Sequence, residues 1–217
     1  MPVFALDNQL IFPPVDLAEP DGLLAAGGDL SAERILLAYR SGIFPWYEGD
    51  HILWWCPDPR FVLFPGKLIT SKSMKQLIKK NSFRFTINKA FSEVIDECKK
   101  IARRDQDGTW ITDGVRNAYT NLHIKGYAHS AETWVGKELV GGLYGIRLGN
   151  VFYGESMFSK ASNASKFAFI SYVEQLKKEG VQLIDCQVYT EHLESLGAEM
   201  IPRKEFIALL NQNLVDK

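Results

Sequence analysis

The clearest pattern in the chain is an alternation of apolar and polar positions in three consecutive runs. The runs are 128–135, 138–148 and 150–158, and a period of two is typical of β-strands. Gly136–Lys137 and Gly149–Asn150 separate the runs, and short glycine-containing connections of this kind favour hairpin turns. The pattern therefore predicts three antiparallel strands that follow one another.

Helical spacing of apolar residues predicts helices on both sides of these strands. The predicted helices cover about 32–41, 72–80, 89–103, 112 or 113 to 125, 163 or 165 to 178, 191–196, and the end of the chain from Arg203. Ser31, Ser71, Asn88 and Thr112 stand where N-caps are expected. Three further strands are predicted at 83–87, 181–188 and 199–201. The helix that ends at 178 is then a crossover connection, which places the strand at 181–188 parallel to a neighbour.

Three antiparallel strands, a crossover helix and a further strand resemble the acyltransferase fold of the GNAT type. We therefore expect an α+β fold with two domains. The first is a small N-terminal domain over residues 1–62, rich in aromatic residues and proline, in which residues 1–30 are loop. The second is a GNAT-like acyltransferase domain over residues 63–217, with a mixed, mainly antiparallel sheet. Residues 42–60 contain three of the five tryptophans and should form an ordered, packed loop.

Charge is distributed unevenly along the chain. The formal net charge is −1, but residues 1–65 carry −6, residues 66–104 carry +8 and residues 105–217 carry −3. A segment with such an excess of Lys and Arg is typical of a nucleic-acid contact surface. A solvated helix face explains the charge equally well, so the charge alone leaves both interpretations open.

The three cysteines indicate a reducing compartment. Cys56, Cys98 and Cys186 are odd in number and widely spaced, so they fit neither a disulfide framework nor a zinc-binding pattern. No apolar run approaches the ~18 residues of a membrane span, and residues 1–7 lack the features of a signal peptide. We therefore expect a cytoplasmic monomer that has no membrane contact, no metal and no cofactor.

The start of the crossover helix argues against an acyl-CoA donor. GNAT enzymes bind the CoA pyrophosphate in a glycine-rich loop at this position, because glycine lets backbone amides approach phosphate. Residues 159–166 contain no glycine. Another activated acyl donor has to be considered, and the basic segment favours one that is attached to RNA.

Many longer strings point to such a donor. They are EPDGLLAAGGDL (19–30), SGIFPW (41–46), ILWWCPDPR (52–60), GTWIT (108–112), AHSAETW (128–134), ELVGGLYG (138–145), GESMFS (154–159), NASK (163–166), LIDCQV (183–188), SLGA (195–198) and IPR (201–203). In these strings the chain closely resembles the leucyl/phenylalanyl-tRNA–protein transferases over nearly its whole length. The resemblance implies transfer of Leu, Phe or, less readily, Met from aminoacyl-tRNA to a protein N-terminus that bears Arg or Lys. That protein is thereby marked for degradation through the N-degron pathway.

Three polar residues are the candidates for catalysis. Asp185 and Gln187 are two positions apart on a predicted strand, so both should point to one face, and Ile184 and Cys186 to the other. The resemblance implies that Asp185, Gln187 and Glu155 form the polar centre of the transfer step. Glu155 next to Asp185 would form an acidic site for the cationic N-terminal residue. Whether Asp185 removes a proton, orients the acceptor amine or is purely structural stays open.

Apolar and aromatic residues are the candidates for holding the charged end of the tRNA. The resemblance implies that the Leu or Phe side chain enters a pocket formed by Leu143, Phe152, Phe169, Tyr172, Leu176 and Ile184. The family often has Phe-type aromatic residues at the positions of Tyr172 and Leu176, so the preference between Leu and Phe stays open. The 3′-adenosine is expected on Trp46 and Trp110, next to Phe44.

The tRNA phosphates need cations, which the basic segment offers. The candidates are Lys72, Lys75, Lys79, Lys80, Arg84, Lys99 and Lys100. Two other functions compete with aminoacyl transfer, namely an acetyl-CoA-dependent acetyltransferase and a non-catalytic RNA-binding module. The glycine-free loop disfavours the first, and the pairing of Asp185 and Gln187 with an apolar pocket disfavours the second.

Overall fold

The structure is a computed structural model that describes residues 3–101 and 110–214. The strands are β1 (Phe4–Leu6), β2 (Leu23–Gly27), β3 (Phe44–Pro45), β4 (Leu53–Trp55), β5 (Arg60–Leu63), β6 (Arg84–Ile87), β7 (Ala128–Val135), β8 (Glu138–Leu148), β9 (Val151–Ser159), β10 (Leu183–Gln187) and β11 (Glu199–Ile201). The helices are α1 (Ala32–Arg40), α2 (Lys72–Lys79), α3 (Phe91–Lys100), α4 (Asp113–Ile124), α5 (Ala164–Lys178), α6 (Glu191–Glu194) and α7 (Arg203–Asn213). No helix within these residues is both long and apolar enough to cross a bilayer.

Two sheets organise the described residues. The larger sheet has seven strands in the order β11-β5-β10-β9-β8-β7-β6, and the smaller has four in the order β1-β2-β4-β3. In the larger sheet β9 and β10 are parallel, whereas every other neighbouring pair is antiparallel. The prediction of an α+β fold with a mixed, mainly antiparallel sheet is confirmed, as is the parallel placement of the strand that follows the crossover helix.

The N-terminal region contains more strand than the sequence predicts. Residues 1–30 were expected to be loop, but β1 and β2 pair in parallel within them. Leu24, Ala25 and Trp54 of the small sheet are buried in the same core as Val62 and Tyr153 of the large sheet. The predicted boundary between residues 62 and 63 falls inside β5, which pairs with β10 and β11. The large sheet therefore begins at Arg60, and the division into two domains stays a prediction.

The start of α3 shows how a distant residue can replace a predicted cap. Asn88 was expected to cap a helix over 89–103, but it has a φ of 57° and its side chain accepts a hydrogen bond from the Ser130 amide. Buried Glu132 of β7 instead accepts the amides of Lys89 and Ala90 at 3.1 and 3.3 Å. A carboxylate satisfies unpaired amides at a helix start and complements the helix dipole. The helix therefore begins at Phe91, and residues 102 and 103 lie outside the described part.

Candidate active site

The site lies where two neighbouring strands of the large sheet part. β9 and β10 pair only over Val151–Tyr153 and Leu183–Asp185. Beyond that point β9 continues along β8 to Ser159, whereas β10 ends at Gln187, which has a φ of 65° after a shift in register. Non-glycine residues seldom adopt this conformation and often do so at functional sites. A cavity of about 540 Å³ opens here.

The cavity brings together residues from each group that the sequence proposes. Its lining includes the apolar residues Leu143, Phe152, Phe169 and Ile184, the polar residues Glu155 and Gln187, and the aromatic residues Phe44, Trp46 and Trp110. These residues come from β3 and the position after it, from β8, β9, β10 and α5, and from the segment before α4. Positions more than 140 residues apart in the sequence therefore face one open cavity.

The apolar end of the cavity contains four of the six predicted pocket residues. Tyr172 and Leu176 are not in the lining; both are buried in the core around it. Tyr172 packs edge-to-face on Phe152, with ring centroids 5.1 Å apart, so it supports the pocket wall from behind. Gly145 allows this wall to form, because a Cβ at that position would lie 2.5 Å from the Phe152 ring.

The aromatic end of the cavity is built on the small sheet and on Trp110. Phe44 is 3% and Trp110 is 4% exposed, so both present only a small part of their rings. Trp46 is more open and packs against Trp55 with ring centroids 5.8 Å apart. Trp46 is therefore the ring that offers the most surface for stacking.

Glu155 occupies the polar centre and is bound by neutral donors. The Tyr39 hydroxyl donates to its Oε1 at 2.7 Å, the Tyr119 hydroxyl to its Oε2 at 2.9 Å, and the Gln187 side-chain amide to Oε1 at 3.1 Å. Burial raises the pKa of Glu155 to about 7, while these hydrogen bonds act to lower it and the charge of Asp185 acts to raise it. Glu155 can therefore exchange a proton near neutral pH.

Asp185 lies in a different environment. Its two carboxylate oxygens accept hydrogen bonds from Arg60 at 2.8 and 2.7 Å, and both side chains are fully buried. Oδ1 also accepts the Gln187 backbone amide at 3.0 Å. The Arg60 guanidinium lies between the rings of Phe44 and Phe206, 4.7 and 4.5 Å from their centroids. Asp185 is not in the cavity lining.

The expectation that Asp185 and Gln187 point to one face of the strand is therefore wrong. Strict alternation would put Asp185 and Gln187 together, but the register shift and the left-handed backbone of Gln187 interrupt it. Gln187 turns into the cavity next to Ile184 and Cys186, and Asp185 stays behind the wall. Burial raises the pKa of the Cys186 thiol, which keeps it protonated and unreactive.

The basic residues divide into unpaired and paired ones. Lys72, Lys75, Lys79 and Lys80 are exposed on or next to α2, and none forms an ion pair with another described residue. Lys99 binds Asp113 at 2.6 Å and Lys100 binds Glu97 at 2.9 Å. The Arg84 guanidinium lies 5.0 Å from the ring of Trp134 on the neighbouring strand.

Several residues of the site are absent from the sequence-based prediction. They are Tyr39, Tyr119 and Arg60, which contact the carboxylates, and Met157, Leu193 and His192, which line the cavity. The two tyrosines are inward-facing positions of their helices and look like ordinary core residues. Among the described residues, no cluster of three or more His, Cys, Asp or Glu side chains is arranged to hold a metal ion.

Comparison with known proteins identifies the family of the chain. The family model of the leucyl/phenylalanyl-tRNA protein transferase matches residues 62–211, and that of its N-terminal domain matches residues 28–58. The chain is 57% identical over 215 residues to the leucyl/phenylalanyl-tRNA–protein transferase of Syntrophobacter fumaroxidans, which covers 99% of this chain and 92% of that protein. It is 56% identical to the one from Flavobacterium johnsoniae, over 96% of this chain and 99% of that protein.

Among solved structures, the chain is similar to a GCN5-related N-acetyltransferase from Kribbella flavida, with 9% identity and a TM-score of 0.40. The match covers 77% of this chain and 59% of that one. The sequence relationship is far closer, since both family models and full-length relatives agree. The chain belongs to the leucyl/phenylalanyl-tRNA–protein transferase family, whose members are aminoacyltransferases.

Proposed function

We propose that the cavity is where the aminoacyl end of a tRNA meets the N-terminus of an acceptor protein. The family reaction transfers Leu, Phe or, less readily, Met to an N-terminal Arg or Lys, which marks the acceptor for degradation in the N-degron pathway. The observation that carries the proposal is the meeting of an apolar pocket, a titratable carboxylate and aromatic rings around one space of about 540 Å³. A space of this size suits a small ligand that is held mainly by apolar contacts.

The apolar end of the cavity receives the donor side chain. Leu143, Phe152, Phe169 and Ile184 present hydrocarbon and aromatic surface without a charge. Burial of a Leu or Phe side chain there is favourable by about 1.5–3 kcal/mol, whereas a charged side chain would lose its hydration without a partner. Tyr172 and Leu176 act indirectly, because they keep the pocket wall in place.

The aromatic end receives the 3′-adenosine. A single-stranded end is commonly held by stacking of its bases on aromatic rings, and Trp46 offers the most open ring here. Phe44 and Trp110 complete this wall. The adenosine carries the ester, so this arrangement would hold the ester carbonyl between the two ends of the cavity, next to Glu155.

Glu155 is the residue that takes part in proton transfer. The acceptor amine attacks the ester carbonyl carbon, a C–N bond forms, and the C–O bond to the adenosine 3′ oxygen breaks. The proton that the amine loses ends on that oxygen, and a carboxylate that titrates near pH 7 is suited to accept it on the way. A cationic Arg or Lys side chain at the acceptor N-terminus also interacts more favourably with this carboxylate than with an uncharged wall.

Asp185 has a positioning role in this proposal. Its charge is matched by Arg60, and it is separated from the cavity lumen, so it is poorly placed to bind an amine. It instead holds the Gln187 backbone in the turn that directs the Gln187 amide to Glu155. Through Arg60 it also supports the Phe44 ring. The expected acidic site is therefore centred on Glu155 alone.

The exposed lysines of α2 and Lys80 are the proposed contacts to tRNA phosphates, with Arg84 beside them. Lys99 and Lys100 contribute less, because carboxylates already match their charges. We further propose that the protein acts as a monomer in the cytoplasm, where both substrates are made. The proposed domains are a small N-terminal domain at 1–62, rich in aromatic residues and proline, and a GNAT-like transferase domain at 63–217, which carries these cations.

The test is a transfer assay with radiolabelled Leu-tRNA and peptides that begin with Arg, Lys or Asp. We expect label in the first two peptides only, and no acetylated product when acetyl-CoA replaces the charged tRNA. Glu155→Gln should lower transfer about a hundredfold or more, which is the usual contribution of a general base, while Leu-tRNA binding is retained. Glu138→Gln removes an exposed carboxylate from the same sheet and serves as the control. Near-normal turnover of Glu155→Gln would remove Glu155 from the proton transfer.

A further inference from the structure

Two buried tyrosines from separate helices converge on the carboxylate of Glu155. Tyr39 of α1 and Tyr119 of α4 are 80 positions apart, yet their hydroxyl oxygens lie 2.6 Å from each other. Each hydroxyl also contacts a different oxygen of Glu155, at 2.7 and 2.9 Å. Both side chains are fully buried, and neither is in the cavity lining. They therefore touch Glu155 from behind, on the side away from the substrates.

The three groups form a closed triangle of short contacts. Two hydroxyl groups bring two hydrogens, whereas three contacts need three. When Glu155 carries a proton, each contact has one hydrogen. When Glu155 is ionised, both hydroxyls can donate to the carboxylate. In the ionised state the two hydroxyl oxygens, 2.6 Å apart, have no hydrogen between them and must separate, so the positions seen here fit the protonated carboxyl, and ionisation requires this local movement.

We propose that Tyr39 and Tyr119 are positioning residues of the transfer reaction, which orient the Glu155 carboxylate toward the acceptor amine and stabilise its ionised form at neutral pH. This inference rests on the proposed role of Glu155. Buried carboxylates without such donors stay protonated, because burial disfavours the charged form. Hydrogen bonds to an ionised group are about twice as strong as those between neutral groups. The two hydroxyls therefore stabilise Glu155 most strongly when it is ionised.

The groups around Glu155 agree with this assignment. Those that influence its charge are Tyr39 on α1, Tyr119 on α4, and Gln187 and Asp185 on β10. Arg60 on β5 matches the Asp185 charge, and Tyr144 on β8 packs on the ring of Tyr119. Burial, followed by the charge of Glu155, raises the pKa of Tyr39 and Tyr119, which keeps both hydroxyls protonated as donors. No cation in this set contacts Glu155. The neutral donors alone therefore offset the rise in its pKa that burial causes.

The experiment measures the titration of Glu155 directly and then the rate. Infrared difference spectra between each protein and its Glu155→Gln counterpart isolate the carboxyl band of Glu155. In the wild-type chain this band should disappear with a midpoint near pH 7. In Tyr39→Phe and in Tyr119→Phe the midpoint should rise by about one pH unit, since one donor to an ionised group is lost. The acid limb of kcat/KM should move by the same amount, so transfer lost at pH 7 is regained above pH 8.

Tyr153→Phe is the matched control. It removes a buried hydroxyl that donates to the Tyr39 backbone oxygen at 3.0 Å and does not contact Glu155. Its midpoint and acid limb should stay at the wild-type pH, even if its stability falls. Unchanged midpoints in both Tyr39→Phe and Tyr119→Phe would overturn the inference. If the infrared midpoint rises while the rate profile stays fixed, the tyrosines do set the charge of Glu155, and the proposed proton-accepting role of Glu155 is what fails.

Discussion

Asp185, which is buried, and Glu155, which is partly buried, are two carboxylates that contact the same residue, Gln187, and yet they are stabilised in different ways. Asp185 accepts the Gln187 backbone amide and is matched by the Arg60 guanidinium, with no exposed surface on either partner. Glu155 accepts the Gln187 side-chain amide and is bound by two tyrosines without any cation. A carboxylate whose charge is matched by a buried guanidinium serves a structural purpose. A carboxylate held by neutral donors can still change its protonation, which proton transfer requires.

The largest effect should come from breaking the Arg60–Asp185 pair. Asp185→Ala leaves Arg60 buried without its counter-charge, which should lower the free energy of unfolding by about 3–5 kcal/mol. Urea unfolding measures this loss. The double variant Arg60→Met with Asp185→Leu should recover most of the lost stability, because no unpaired charge remains. Near-wild-type stability of Asp185→Ala would show that buried Arg60 does not need the Asp185 charge. The contrast between a charge-matched Asp185 and an unmatched Glu155 would then fail.

The second prediction concerns pH and Glu155. The pKa of Glu155 is about 7 in the folded protein, against an ordinary value of 4.5. Between these pH values the folded chain holds a proton that the unfolded chain releases. The free energy of unfolding should therefore fall as pH rises through this window, by up to about 3 kcal/mol from this group. Urea midpoints measured across this pH window should lack the fall due to Glu155 in the Glu155→Gln variant. The Glu138→Gln variant should retain it. An identical slope in all three proteins would contradict the raised pKa.

The contrast between matched and unmatched charge extends to the basic surface. Lys79→Gln with Lys80→Gln removes exposed cations without described ion-pair partners, so affinity for tRNA should fall roughly tenfold and the slope of log K against log salt should shrink by about 1–2. Lys99→Gln with Lys100→Gln removes cations that carboxylates already match, and should have a smaller effect. Filter binding over a salt series measures both. Equal losses would show that pairing does not decide which lysines bind RNA.

The smallest effect is expected in the uncharged end of the cavity. Leu143→Phe adds volume to the donor pocket and should lower kcat/KM for Phe transfer several-fold more than for Leu transfer. Leu148→Phe enlarges a buried residue of the same strand outside the cavity lining, and should affect both donors alike. Competition between Leu-tRNA and Phe-tRNA gives the ratio directly. Equal losses for both donors in Leu143→Phe would indicate a general packing role.

Local pattern alone was sufficient for much of the fold. The alternation over 128–158 predicts three antiparallel strands, and β7, β8 and β9 match it closely because their hairpin glycines are local signals. Thr112 caps α4 as expected, accepting the Val115 amide at 3.2 Å. The strands β1 and β2 escaped prediction, since short strands in a Gly- and Pro-rich segment have little periodicity and depend on pairing partners elsewhere in the chain.

The sequence by itself determined the candidate chemistry. It indicated which residues could bind an apolar side chain, stack on a nucleobase, contact a phosphate or accept a proton. Resemblance to a family pointed to Glu155, Gln187, Phe152 and Trp46, and all four line one cavity. Only the tertiary structure decided what each carboxylate can do. The role of a carboxylate depends on the groups within a few ångströms of it, and here those groups, Arg60 for Asp185 and the two tyrosines for Glu155, come from distant parts of the chain. No pattern of neighbours along the sequence contains that information.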